Sequence, residues 1–306
     1  MKFILPNPFN LSVYGLDNGQ AYKDILNLQG ANPNASEFLP SNQINDNCTI
    51  LEPIPVDLSG VDISNPLDHV KGAKRMQENV IKELKKSIND FKNSQIFVIG
   101  GDHTISIGTG AYLSTQVDMS KVGLLWIDAH GDFNTPQSSP SKSLTGYPCA
   151  INNGIGEQQL LEVYKNNHIS KIVQVGIRDI DELESQNLKE RGVITYSNID
   201  VVHYGLKYII EKTQDHFDDC DFIWLSIDID SLDPIYCDNG RTDVPVVGGL
   251  TPRELIYITD IIHRTGKLKV TELVQINNSS NNSNLTYLAN RLIELAFGLG
   301  KFRTNN

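Results

Sequence analysis

Residues 122–132 read VGLLWIDAHGD, and this stretch decides the fold. A short run without a polar side chain, Val122 to Ile127, suits a strand buried on both faces, as in a parallel sheet. The run ends directly on Asp128, His130 and Asp132, each one residue apart from the next. On extended chain alternate residues share a side, so the three point into one small volume. A buried, unpaired carboxylate loses several kcal/mol of hydration, so acids in such a place are paired or bound to metal.

The same pattern recurs outward from this segment. QIFVIG (95–100), KIVQVGI (171–177), DFIWLSIDID (221–230) and KLKVTELVQI (267–276) are further buried-strand candidates. Helical periodicity fills the intervals. Val70, Met76, Val80, Leu84, Ile88 and Phe91 recur at threes and fours within 68–93, and further helices are expected near 104–117, 156–168, 181–191, 205–217, 251–265 and 284–299. Strands alternating with helices predict an α/β chain of three layers, helices on both faces of a central parallel sheet. Nothing divides the 306 residues, so a single domain over 1–306 is expected. Residues 6–50 are Asn-rich and read as long loops with a short helix near Ala21–Leu28, and NNSSNNSN (277–284) reads as a surface loop. Thr251-Pro252-Arg253-Glu254 is a capping box with proline at the first helical position. His168, His203, His216 and His263 lie among polar neighbours and read as solvated or locally bonded histidines.

Composition excludes several function classes. A net charge of −11 argues against a nucleic-acid or anionic-membrane surface. No apolar run approaches the roughly 18 residues of a membrane span, and Phe3–Leu5 before Pro6 is too short for a signal-peptide core. Cys48, Cys149, Cys220 and Cys237 are scattered, which favours reduced thiols and a cytoplasmic location.

In parallel α/β sheets ligands bind beyond the carboxyl ends of the strands. Three predicted strands end there in metal-type residues: GGDHTIS supplies His103, DAHGD supplies Asp128, His130 and Asp132, and SIDIDSLDP supplies Asp228 and Asp230. Taken singly, each has a plainer reading. The D-x-H-x-D run could be an Asp–His hydrogen-bond pair, the D-x-D run could cap turns, and His103 could cap the helix that follows. Together they collect four carboxylates and two imidazoles, a set that repels itself without cations and that two divalent ions would balance. Carboxylate and imidazole without thiolate suit Mn²⁺ and tolerate Fe²⁺, Co²⁺, Ni²⁺ or Zn²⁺. A pair of such ions lowers the pKa of a shared water enough to make a nucleophile near neutral pH.

GGDHTIS, DAHGD and SIDIDSLDP, in this order and spacing, resemble the arginase, agmatinase and formimidoylglutamase family of ureohydrolases. The resemblance covers roughly 95–300. It implies an eight-stranded parallel sheet in an α/β/α fold and a binuclear manganese centre that hydrolyses a guanidino or amidino C–N bond. It also implies trimeric or hexameric assemblies of identical subunits. It places His103, Asp128, Asp132 and Asp228 on a first metal and His130, Asp128, Asp228 and Asp230 on a second, with Asp132 also holding the catalytic water. NTPQSSPS (134–141) is most similar to the arginase branch, which puts Asn134 and Ser141 at a substrate carboxylate. GIRDID (176–181) puts Asp181 at an α-amino group; a helix N-cap is the alternative for that residue.

Two positions depart from the arginase pattern. Arginases carry S-G-N-x-H-G-x-P where this chain has SKSLTGYP (141–148), so Thr145 stands where a proton-shuttling histidine is expected. Arginases end a late strand with E-x-N-P, and Gln275 stands in place of that glutamate. The loop 235–249 also alters the rim of the pocket. These changes predict a less basic substrate than free arginine, such as a modified guanidine. A second reading is a metal-bound homologue with little catalysis, acting as a binding or regulatory subunit. A deacetylase-like single-zinc hydrolase needs a His-His pair that this chain lacks.

Overall fold

The computed structural model describes residues 1–11, 44, 47–62, 64–165, 167–237, 244–276 and 283–299. The apolar runs become strands of one sheet. These are β1 (Lys2–Asn7), β2 (Thr49–Ile50), β3 (Gln95–Gly100), β4 (Val122–Ile127), β5 (Lys171–Ile177), β6 (Ile194–Ser197), β7 (Phe222–Asp228) and β8 (Leu268–Val274). Their order is β2-β1-β3-β8-β7-β4-β5-β6, and every pairing is parallel. The sheet is the eight-stranded parallel one expected, and β4 and its neighbour β7 lie inside it with all their apolar residues buried except the half-buried Phe222.

Side chains alternate between the two faces and so belong to two cores. Leu124 and Trp126 join one cluster, and Leu125 and Ile127 join the other. The first core is covered by α1 (His69–Ser87), α2 (Ile105–Leu113) and α3 (Pro148–Asn152). α1 buries Val70, Ala73, Met76, Val80 and Leu84 at helical spacing, whereas every residue of α2 is buried. The short α4 (Gln158–Leu161) and α5 (Glu182–Glu190) follow, then α6 (Asn198–Tyr204). The second core lies beneath α7 (Leu206–His216), α8 (Pro252–Arg264) and α9 (Ser283–Ala296). The capping box at Thr251 forms as expected, with Glu254 N donating to Thr251 Oγ1 and Thr251 N to Glu254 Oε2. The four cysteines are free thiols.

Three strands were not expected. β1 contains Pro6, which lacks the backbone donor of a strand residue, yet Pro6 pairs with Ile99 near the strand's end, where a missing donor is tolerated. β2 is two residues long and β6 is a half-buried edge strand of four, too short to show a period. The helix expected over 156–168 is confined to α4, whose only buried residue is Leu160. The helix near Ala21–Leu28 and most of the loop 277–284 lie outside the described residues. Among those residues no helix is long and apolar enough to cross a membrane.

Candidate metal centre

The six acidic and imidazole residues meet at the carboxyl ends of β3, β4 and β7, but by turns rather than by strand alternation. β4 stops at Ile127, and Asp128 Oδ1 accepts from His130 N at 2.8 Å. Asp132 has φ 47, in the left-handed region, where a non-glycine residue costs about 1–3 kcal/mol. Its carbonyl is held there by Cys149 N and Ala150 N at the start of α3, at 3.0 and 3.2 Å. β7 stops at Asp228, and a 3-10 turn over Ile229–Ser231 carries Asp230 back toward β4. Asp228 Oδ1 accepts from Asp230 N at 2.8 Å, and Asp230 Oδ1 accepts from Ala129 N at 3.1 Å. Asp228 and Asp230 thus use one oxygen on backbone and turn the other inward, while both oxygens of Asp128 face imidazoles.

The inward atoms form two groups that share Asp128: His103, Asp128 and Asp228, and Asp128, His130 and Asp230. His103 Nδ1 lies 2.9 Å from Asp128 Oδ2, 3.3 Å from Asp228 Oδ2 and 3.5 Å from Asp132 Oδ2. His130 Nδ1 lies 3.0 Å from Asp230 Oδ2 and 3.4 Å from Asp128 Oδ1. Asp128, Asp228, Asp230 and His103 are at most 1% exposed. Burial works against charge on Asp128, yet the imidazoles at its two oxygens hold its carboxyl below the usual range. Burial, reinforced by the neighbouring carboxylates, pushes Asp132, Asp228 and Asp230 above it. Burial opposes charge on both histidines, but the carboxylates around them raise both. Such a cluster calls for cations. Asp230 Oδ2 faces His130 Nδ1 at 3.0 Å, the buried His130 Nε2 has no hydrogen-bond partner, and carboxylate oxygens beside imidazole nitrogens are the donor set of a hard or borderline divalent ion. The residues therefore fit metal.

A cleft of about 420 Å³ opens over this cluster. The substrate-contact candidates Asn134, Ser141, Thr145, Asp181 and Gln275 all line it. Asn134 Nδ2 donates to Asp181 Oδ2 at 2.9 Å, so two of them are in direct contact. Asp181 also occupies the N-cap position of α5, so the cap and the cleft-facing carboxylate are one residue. Ser141 Oγ accepts from Ser143 N at 3.2 Å, and Thr145 Oγ1 is 2.8 Å from Ser143 Oγ. Gln275 has φ 61, its N–H is held by Gly101 O at 2.7 Å, and its buried Oε1 has no hydrogen-bond partner.

Asp179, Glu184 and His69 also line the cleft and were not singled out in the sequence. Glu184 lies at the third position of α5, where an acid reads as a helix cap. It does cap, accepting from Asp181 N at 3.1 Å, but its other oxygen holds Phe133 N at 2.7 Å beside the cluster. Burial pushes its carboxyl up to about 7. His69 opens α1 and is fully buried, with nothing in its neighbours to mark it. Among the described residues no lysine or arginine lines the cleft.

An eight-stranded parallel sheet with this cluster at its carboxyl edge defines an α/β protein with a candidate metal centre. Comparison with known proteins gives the family. The model of the arginase family matches residues 35–298, and the chain belongs to that family, whose members are hydrolases of guanidino and amidino groups. It is 33% identical over 240 residues to the arginase of Staphylococcus aureus strain MRSA252, covering 76% of this chain and 78% of that one. The crystal structure of arginase from Bacillus subtilis strain 168 superposes with a TM-score of 0.79 at 28% identity, over 98% of each chain. That of Entamoeba histolytica arginase in complex with L-ornithine superposes with a TM-score of 0.80 at 25% identity, over 97% of each.

Proposed function

We propose that residues 1–306 form one cytoplasmic metallohydrolase domain that uses two Mn²⁺ ions to hydrolyse a guanidino or amidino C–N bond. The observation that supports it is the pair of donor groups sharing the buried Asp128: His103 with Asp228, and His130 with Asp230. In this reading His103, Asp128, Asp132 and Asp228 would hold one ion, and His130, Asp128, Asp228 and Asp230 would hold the other. The ions would supply charge stabilisation and a water of lowered pKa.

The chain's own side chains do the rest. Asp132, whose conformation is fixed by the amides of α3, orients the attacking water and takes its proton. The acidic cleft favours a substrate that carries an ammonium group. Asp181 and Glu184 are the carboxylates placed to meet it, and Asn134 and Ser141 offer donors to a carboxylate. Gln275 Oε1 accepts a hydrogen bond from the reacting group without demanding a cation. Thr145 offers a hydroxyl that neither gains nor loses a proton near neutral pH. A guanidine less basic than that of free arginine, for instance an N-modified one, matches these two neutral contacts. The homo-oligomeric state, trimer or hexamer, belongs to the same proposal.

The test is metal analysis together with turnover of a panel of guanidino, amidino and ureido compounds with Mn²⁺. Two equivalents of manganese and turnover of a modified guanidine support the reading. Two equivalents with no turnover on any member favour the second reading, a binding or regulatory homologue, which the neutral Thr145 and Gln275 motivate. One tightly held zinc contradicts both.

A further inference from the structure

We propose that Glu272 is a positioning residue for the metal held by His103, acting through Ser226. The inference rests on the two-metal reading above. It begins in the register of the sheet. Ser226 of β7 pairs laterally with Trp126 of β4 on one side and with Glu272 of β8 on the other. Laterally paired residues of a sheet point to the same face, so Trp126, Ser226 and Glu272 stand in a row beneath α2. The row is fully buried.

The hydrogen bonds along this row have one consistent direction. Thr109 Oγ1, from α2, donates to Glu272 Oε1, and Ser226 Oγ donates to Glu272 Oε2 at 2.9 Å. A serine hydroxyl has a single proton, so toward His103 it can only accept. His103 Nε2, 2.8 Å from Ser226 Oγ, is therefore the protonated nitrogen. The lone pair of the neutral ring is then on Nδ1, the atom that faces Asp128, Asp228 and Asp132. Trp126 completes the arrangement. The two rings are stacked with centroids 3.8 Å apart and planes 8° apart, which fixes the plane in which the lone pair lies. Tautomer and orientation are thus set before any ion arrives.

A neutral or apolar side chain would fill the space at Glu272 with less loss of hydration. A carboxylate is the stronger acceptor and makes the imidazole a better metal donor. Burial pushes the Glu272 carboxyl upward, while the hydroxyls of Thr109 and Ser226 and the charge at His103 oppose that shift.

The experiment strips the full-length protein with a chelator and titrates it with Mn²⁺, reading free ion by electron paramagnetic resonance. Wild type, Glu272→Leu, Glu272→Gln and Ser226→Ala are compared, with a metal-free melting curve for each. The expected result is two equivalents in wild type and a loss of roughly 10–100-fold in affinity at one site only in Glu272→Leu and Ser226→Ala. Glu272→Gln keeps an acceptor for Ser226 and should lose less than Glu272→Leu. If Glu272→Leu does not fold, Ser226→Ala, which removes a single oxygen, carries the same test. Two equivalents bound with wild-type affinity by the leucine and alanine variants would show a packing role alone and overturn the relay. Fewer than two equivalents in wild type overturns the two-metal reading and the relay with it.

Discussion

In the reading proposed above, Thr145 and Gln275 set what the cleft discriminates. Both line it beside the acidic cluster, and neither carries a charge. At these two positions the chain has neither the glutamate nor the histidine of the arginase pattern. General acid–base help is worth about 10²–10⁴ in rate, so arginine turnover with the metal site full should fall orders of magnitude below that of an arginase. Steady-state kinetics on Thr145→His, Gln275→Glu and the double variant checks this. The double change should raise kcat/KM for arginine by more than the product of the single changes, because both groups act on one substrate. Arginase-like rates in the unaltered protein would refute the assignment of these two roles. Glu184 offers a pH test at the same scale. Its carboxyl is ordinarily near 4.5 and is pushed to about 7 by burial in the fold. Between those values the native state holds a proton that the unfolded chain releases, so stability contributed below pH 4.5 is lost as pH rises through 7. The loss amounts to about 3 kcal/mol. Melting temperatures of wild type and Glu184→Gln across pH 4–8 should diverge in that window, the variant lacking this decline. Parallel curves would place the titration elsewhere.

At the scale of elements, the short helices beside β4 hold the site in place. α3 uses its first amides to hold the Asp132 carbonyl, and it packs on α2 through Asn152. Asn152 Oδ1 accepts from Tyr164 OH at 2.7 Å, and Asn152 Nδ2 donates to Pro148 O at 3.0 Å. Gly110 of α2 faces this contact, and a Cβ there would overlap Asn152 Oδ1 and crowd the Tyr164 hydroxyl. Gly110→Ala gains helix propensity but should still lose about 1–3 kcal/mol through overpacking and the broken hydrogen bond. Urea denaturation reads the change; a stabilised Gly110→Ala would mean that Asn152 can move aside freely. Because α3 also fixes Asp132, the same variant should weaken Mn²⁺ binding, measured by titration of the chelated protein.

For the whole molecule, the buried acidic cluster and the fold are linked. Four carboxylates, each at most 8% exposed, converge between β3, β4 and β7, and their mutual repulsion opposes folding unless cations intervene. Ions that bind only the native state stabilise it by mass action, about 2.7 kcal/mol at a hundred times Kd. Chelation should lower the melting temperature by several degrees, and Mn²⁺ should restore it in scanning calorimetry. An apo protein that melts no lower than the loaded one would contradict the picture of a self-repelling buried cluster.

The sequence by itself determined the layered parallel sheet, because β3, β4, β5, β7 and β8 are mostly apolar runs, as strands buried on both faces must be. It also determined which six residues would cluster, since metal-type side chains stood at three strand ends. The manner of their meeting was decided by tertiary structure. Asp132 is in a left-handed conformation held by α3, and Asp230 is returned by a 3-10 turn. Neither geometry is carried by local spacing. β1 and β6 were illegible for a related reason: a strand interrupted by Pro6 and a four-residue edge strand acquire their conformation from the neighbours they pair with. Glu184, His69 and Glu272 are not legible as site residues, because an acid near a helix start, a histidine opening a helix and an acid within a strand each have ordinary local readings. Only the packing of α5, α1 and β8 around the carboxyl edge of the sheet brings them near the site.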